Sequence, residues 1–116
     1  MDAGNAAEKI DLIRVTEPDF ETAVSSPLLV KGIARGFWFF EASFPVILQD
    51  EHGDEIASGI AEAQSSWMTE NFVPFKVVLH FSNPVSERGV LIFKKDNPSG
   101  LLEHDDELRI PVTFKK

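Results

Sequence analysis

At 116 residues, with 43% hydrophobic content, ten Phe and two Trp, the chain has enough apolar material for one folded domain and does not read as disordered. Nineteen acidic residues against eleven basic ones give a net charge of −8, and the basic residues are scattered, pairing only at Lys94–Lys95 and Lys115–Lys116. That pattern argues against a phosphate-tracking nucleic-acid groove and against an anionic lipid surface.

Cysteine is absent, which excludes disulfides, thiolate metal sites and cysteine nucleophiles. Tyr is absent too, so aromatic recognition falls to Phe and Trp. No run approaches the roughly 18 apolar residues of a membrane span. Residues 1–9 are small and polar and read as a frayed tail without a signal peptide. Residues 10–116 are expected to form the domain.

In chain order, residues 10–15 predict the first strand. Breaks at Pro18-Asp19-Phe20 and Ser25-Ser26-Pro27 lead to a strand over 28–35 with Val30, Gly32 and Ala34 on one face. Gly32 within a strand predicts a bulge or a close backbone approach. Residues 44–50 alternate, and Glu51-His52-Gly53 signals a tight turn. Residues 54–64 carry helix-forming Ala, yet Ala57, Gly59, Ala61 and Ala63 recur with a period of two. They predict a returning strand with a face of small side chains.

The clearest strand signal is 73–81, where Val73, Phe75, Val77, Leu79 and Phe81 share a face before the break at Asn83-Pro84. A strand over 89–95 and the turn Asp96-Asn97-Pro98-Ser99-Gly100 follow. The last strand alternates Leu108, Ile110, Val112 and Phe114 with outward residues; Pro111 predicts an edge position. Seven short strands of this spacing suit an all-β sandwich.

Several phrases carry a resemblance: Ser26-Pro27-Leu28 before Gly32 and Ala34, Phe37-Trp38-Phe39-Phe40-Glu41 before Phe44-Pro45-Val46, Trp67-Met68-Thr69 before Phe72-Val73-Pro74-Phe75, and Lys95-Asp96-Asn97-Pro98-Ser99-Gly100 before Ile110-Pro111-Val112. Over roughly residues 10–114 the sequence resembles the immunoglobulin-like domain of bacterial spore germination. The resemblance implies an immunoglobulin-like, two-sheet antiparallel sandwich from an envelope protein or lipoprotein, with no known catalytic residue. It also implies an extracytoplasmic location; the sequence would then be a mature or excised piece of the exported protein.

Four consecutive aromatics, Phe37 to Phe40, cannot all face one core along a strand. They read either as a patch for a protein or glycan partner, or as a plug with Trp38 and Phe40 inside. Trp67 lies in a polar connection, either pinning the loop or joining Trp38 in a platform. Phe37, Trp38, Phe39, Glu41 and Trp67 are therefore the candidate binding residues.

Asp50, Glu51, Asp54 and Glu55 around Gly53 lack the ligand spacing and distal Glu of an EF-hand and read as a solvated hairpin. Asp96, Glu103, Asp105, Asp106 and Glu107 form a second acidic loop that calcium could bridge. Neither is assigned a metal, and no cofactor is expected.

Ser99 is not in a Gly-x-Ser-x-Gly elbow, and His52, His80 and His104 are dispersed. Glu41 and Glu62 show no dyad spacing. The chain is expected not to be an enzyme. The leading expectation is a module that docks an envelope protein or adjacent domain, without inserting into a membrane. The alternatives are a carbohydrate-binding module for cell-wall glycan and a structural spacer.

Overall fold

The computed structural model describes residues 4–82, 86–97 and 99–115. Residues 1–3 of the expected tail, the Asn83-Pro84 break, Pro98 and Lys116 lie outside the described residues. Seven strands form: β1 (Ile13–Glu17), β2 (Leu28–Arg35), β3 (Ser43–Asp50), β4 (Glu55–Ala63), β5 (Phe72–Leu79), β6 (Arg88–Lys94) and β7 (Glu107–Thr113). Short 3-10 turns occupy Gly36–Trp38 and Leu102–His104.

The alternation read from the sequence sets which side chains turn inward. On β2, Leu28, Val30 and Ala34 are buried, while Leu29 and Lys31 are exposed; β5 repeats the pattern with Val73, Phe75, Val77 and Leu79 inside. The ambiguous 54–64 segment is a strand, as its period of two requires. The first strand starts three residues later than expected. There the Lys9 carbonyl accepts from the Leu12 and Ile13 amides and closes a turn before pairing with β2 begins.

All ladders are antiparallel, in the order β1-β2-β5-β4-β3-β6-β7. The expected pair of separate sheets is therefore replaced by one continuous hydrogen-bonded order. The hinge is β4, which pairs with β3 over most of its length and passes Glu62 and Ala63 across to Lys76 and Phe75 of β5. Small side chains on its inner face allow this. A Cβ on Gly59 would lie 2.9 Å from both Leu79 and Val77.

Val24 then brings the two ends of the order together. Its amide donates to the Thr113 carbonyl and its carbonyl accepts from Lys115, a parallel bridge to Phe114 that nearly closes the wall.

The edge predicted at Pro111 is found, because β7 ends the strand order. On that outer side Asn5 acts as a substitute strand: its amide donates to Arg109 O, its Oδ1 accepts from Arg109 N and its Nδ2 donates to Glu107 O. Pro111 shares the parity of Arg109 and Thr113, whose polar backbone atoms point away from β6, so its missing N–H breaks no ladder bond. Residues 4–9, the described part of the expected tail, thus run beside β7.

Inside, Phe75 of β5 meets Phe44 of β3 edge-on at 5.0 Å and Phe93 of β6 at 6.0 Å. Its ring also lies over Gly32, where a Cβ would approach Phe75 Cζ to 2.7 Å and Arg14 O to 2.2 Å. The predicted close approach at Gly32 is present, beside a register shift on β1 between Val15 and Glu17. Phe75→Ala is expected to cost about 3–5 kcal/mol in chemical denaturation. Gly32→Ala should also destabilise, because neither the Arg14 carbonyl nor the packed ring can retreat.

Candidate docking surface

The connections 36–42, 64–71 and 95–106 all leave strands at one end of the wall. After β2 the chain turns under the 64–71 connection. The Gly36 amide donates to Asn71 O at 3.1 Å, and a Cβ at Gly36 would sit 1.8 Å from Thr69 O and 2.3 Å from Trp67 O. Only glycine fits beneath that backbone.

The 3-10 turn that begins here breaks strand alternation. Trp38 and Phe39 are adjacent yet both buried, at 0% and 3% exposure, whereas Phe37 and Phe40 remain 48% and 36% exposed. Trp38 forms the expected plug, but its neighbour in the core is Phe39 and not Phe40. Phe39 packs edge-on to Phe44 at 5.2 Å. The Trp38 Nε1 donor is buried without a hydrogen-bond partner among the described residues.

Glu41 and Ala42 close the loop with φ of 52° and 63°. Phe40 and Ser43 exchange both backbone bonds around them, so this is a type I′ turn built without the Asn-Gly that such turns favour. Holding non-glycine residues in this region costs on the order of 1 kcal/mol each.

Beside this loop Trp67 is half-buried and meets Phe40 edge-on at 6.4 Å, while Met68 is 81% exposed. Asp96 N donates to Trp38 O at 3.0 Å, and Lys95 Nζ lies 5.7 Å from the Phe37 ring centroid, which ties the 95–106 connection to the same end. Asn97 Nδ2 donates to Leu101 O at 2.7 Å and Asp105 Oδ1 at 2.6 Å, and Ser99 Oγ accepts from Leu101 N. The braced loop leaves Leu101 and Leu102 51% and 86% exposed.

Ser99 Oγ is 3.0 Å from His104 Nδ1, and His104 Nε2 is 4.0 Å from Glu103 Oε1. Ser99 and His104 are five positions apart in the chain. Their contact braces the loop: Ser99 Oγ also donates to Asn97 Oδ1 at 2.6 Å, and the groups are exposed. The arrangement inverts the hydroxyl–Nε2, carboxylate–Nδ1 order of the hydrolase triad.

Of the five candidate binding residues, Phe37, Glu41 and Trp67 reach this surface, and Trp38 and Phe39 do not. The structure adds Phe40, Met68, Leu101 and Leu102. For Met68, Leu101 and Leu102 the signal in the sequence was an apolar residue inside an otherwise polar turn. That pattern marks exposure only once the loop is known to end in solvent.

At the other end, Asp50 is buried and spent on its own turn, its Oδ1 accepting from His52 N at 2.9 Å and Asp54 N at 3.0 Å. A shallow groove of about 640 Å³ opens beside it, with Val90 and Pro111 flanked by Gln49, His52, Arg88 and Arg109. Among the described residues, no three His, Cys, Asp or Glu side chains are grouped as metal ligands would be.

The strand order and antiparallel pairing define an all-β domain of seven strands in a single, nearly closed sheet. The description "immunoglobulin-like domain of bacterial spore germination" matches residues 12–100, and the chain belongs to that family. No curated protein and no solved structure matches it significantly.

Gly36→Ala is expected to cost about 2–3 kcal/mol, read as a lowered denaturation midpoint, because the Thr69 and Trp67 carbonyls must move. Exchanging Glu41-Ala42 for Asn-Gly should raise stability by about 1 kcal/mol. Trp67→Phe leaves Trp38 as the only emitter; its fluorescence should be blue-shifted and insensitive to iodide, and a quenchable red-shifted signal would contradict its burial.

Proposed function

We propose that this chain is a non-catalytic interaction module that docks a protein partner or neighbouring domain through the 36–42, 64–71 and 95–106 end. The observation that carries this reading is the clustering there of Phe37, Phe40, Met68, Leu101 and Leu102, all exposed. The connections at the opposite end expose no large hydrophobic side chain among the described residues. An apolar centre with a polar rim is the anatomy of a protein–protein contact. Preformed loops lower the ordering cost of binding, and the Asn97 and Ser99 brackets support that condition.

Family membership supports an extracytoplasmic setting in a bacterial envelope or germination-associated protein. Phe37 and Trp67 also keep the cell-wall glycan reading in play, because exposed rings are what sugars stack upon. The test is co-purification from the native cell with the full protein, comparing wild type with Phe37→Ser/Leu102→Ser. Both positions are exposed, so stability should change by no more than about 0.5 kcal/mol per site. A partner held by wild type and lost by the variant supports the proposal. A partner indifferent to the variant overturns it, as does a Trp67 fluorescence shift with soluble wall glycan in place of any protein partner.

A further inference from the structure

A strand at the end of a sheet has a row of outward backbone groups to satisfy, and on β7 this happens without a strand. Glu107 N donates to Asp106 Oδ1 at 2.8 Å, and Glu107 O accepts from Asn5 Nδ2 at 3.0 Å. Arg109 N donates to Asn5 Oδ1 at 2.7 Å, and Arg109 O accepts from the Asn5 amide at 3.1 Å. One residue thus presents the donor, acceptor, donor series that a neighbouring strand would supply. The same segment reaches the other terminal strand, where Lys9 O accepts from Ile13 N, the first amide of β1, at 2.9 Å.

The segment is lightly held. None of residues 4–9 is buried, and Ala6, Ala7 and Glu8 are exposed. A cleft of about 390 Å³ opens between Asn5, Glu8 and Lys9 on one side and Lys94, Lys95 and Asp105 on the other. A further tie is the ion pair of Lys9 Nζ with Asp106 Oδ1 at 2.8 Å, both side chains part-exposed. Polar, solvent-facing contacts of this kind open far more readily than the core.

We infer that residues 4–9 are a reversible strap over the β7 edge, and that β7 of a second copy pairs with that edge when the strap lifts. The edge is complementary to itself. Antiparallel pairing centred on Leu108 sets Glu107 of each copy opposite Arg109 of the other. Each such pair exchanges two backbone bonds, Arg109 N to Glu107 O and Glu107 N to Arg109 O. Both side chains lie on the outer face, so the pair that Arg109 Nη1 makes with Glu107 Oε2 at 2.7 Å within one copy re-forms between copies. Pro111 has no N–H to extend the ladder, and Val24 N already holds Thr113 O, so pairing is confined to the stretch the strap covers. The contact is isologous and closes at two copies.

Hydrogen exchange and sedimentation equilibrium of the purified chain test this together. Asn5→Ala should speed exchange of the Arg109 amide by about tenfold or more while leaving Ile110, whose amide points to β6, unchanged. The wild type should stay near the 12.9 kDa monomer, and Asn5→Ala/Lys9→Ala should rise toward twice that mass with concentration. Adding Arg109→Pro to that variant should restore the monomer, because it removes the outward N–H and spares the β6 ladder, as Pro111 does. Adding Arg109→Ala instead should leave the dimer in place. Circular dichroism checks the folding of each variant.

A folded Asn5→Ala/Lys9→Ala chain that stays monomeric at every concentration overturns the inference. So does a wild type that associates as strongly as the variant, since the strap would then guard nothing. A dimer that survives Arg109→Pro, or is lost equally with Arg109→Ala, rules out pairing through the β7 backbone. Equal loss of protection at Arg109 and Ile110 in Asn5→Ala would make the segment part of the framework and not a strap.

Discussion

Phe75 holds the fold together from its centre. Its ring reaches across the interior to Phe44 and Phe93 and lies against Gly32, so one side chain fixes the spacing of β2, β3, β5 and β6. A chain of edge-on rings continues from Phe44 to Phe39 and carries that order to the loop end. Two neighbouring constraints follow. The strand beside Phe75 on β2 must carry a glycine where the ring lies, and β4 must carry small side chains inward to bridge β3 and β5.

The loop end inherits its shape from this frame. Trp38 and Phe39 anchor the 36–42 connection in the core, and the 3-10 turn that buries both leaves Phe37 and Phe40 turned out. The Trp38 carbonyl holds the start of the 95–106 connection, and Asn97 and Ser99 hold its middle. Exposed apolar side chains thus stand on a supported surface. Strain at Glu41 and Ala42 is retained within it, a pattern common where a loop conformation has been kept for recognition.

The strands were legible in the sequence because alternation is a direct consequence of backbone geometry. Pro111 and Gly32 were legible for the same reason, each imposing a local rule. The continuous strand order was not, although its cause, the Ala57-Gly59-Ala61-Ala63 face, was visible. The substitution of Asn5 for a strand partner joins residues more than a hundred positions apart, and no local pattern announces it. The aromatic run was half legible. Four consecutive rings could not share one face, but which pair entered the core depended on the 3-10 turn forced by the tight space at Gly36. Leu101 and Leu102 were missed because exposure of an apolar loop residue is a property of the assembled fold.

The central claim is that the 36–42, 64–71 and 95–106 end of this domain docks a protein partner. Site-directed photo-crosslinking in the native cell tests it most directly, with a benzophenone side chain placed singly at Phe37, Met68 or Leu102 and, as comparison, at His52 or Glu51 of the opposite end. The account predicts discrete adducts from the first three positions and none from the last two. Adducts confined to His52 or Glu51 would contradict it.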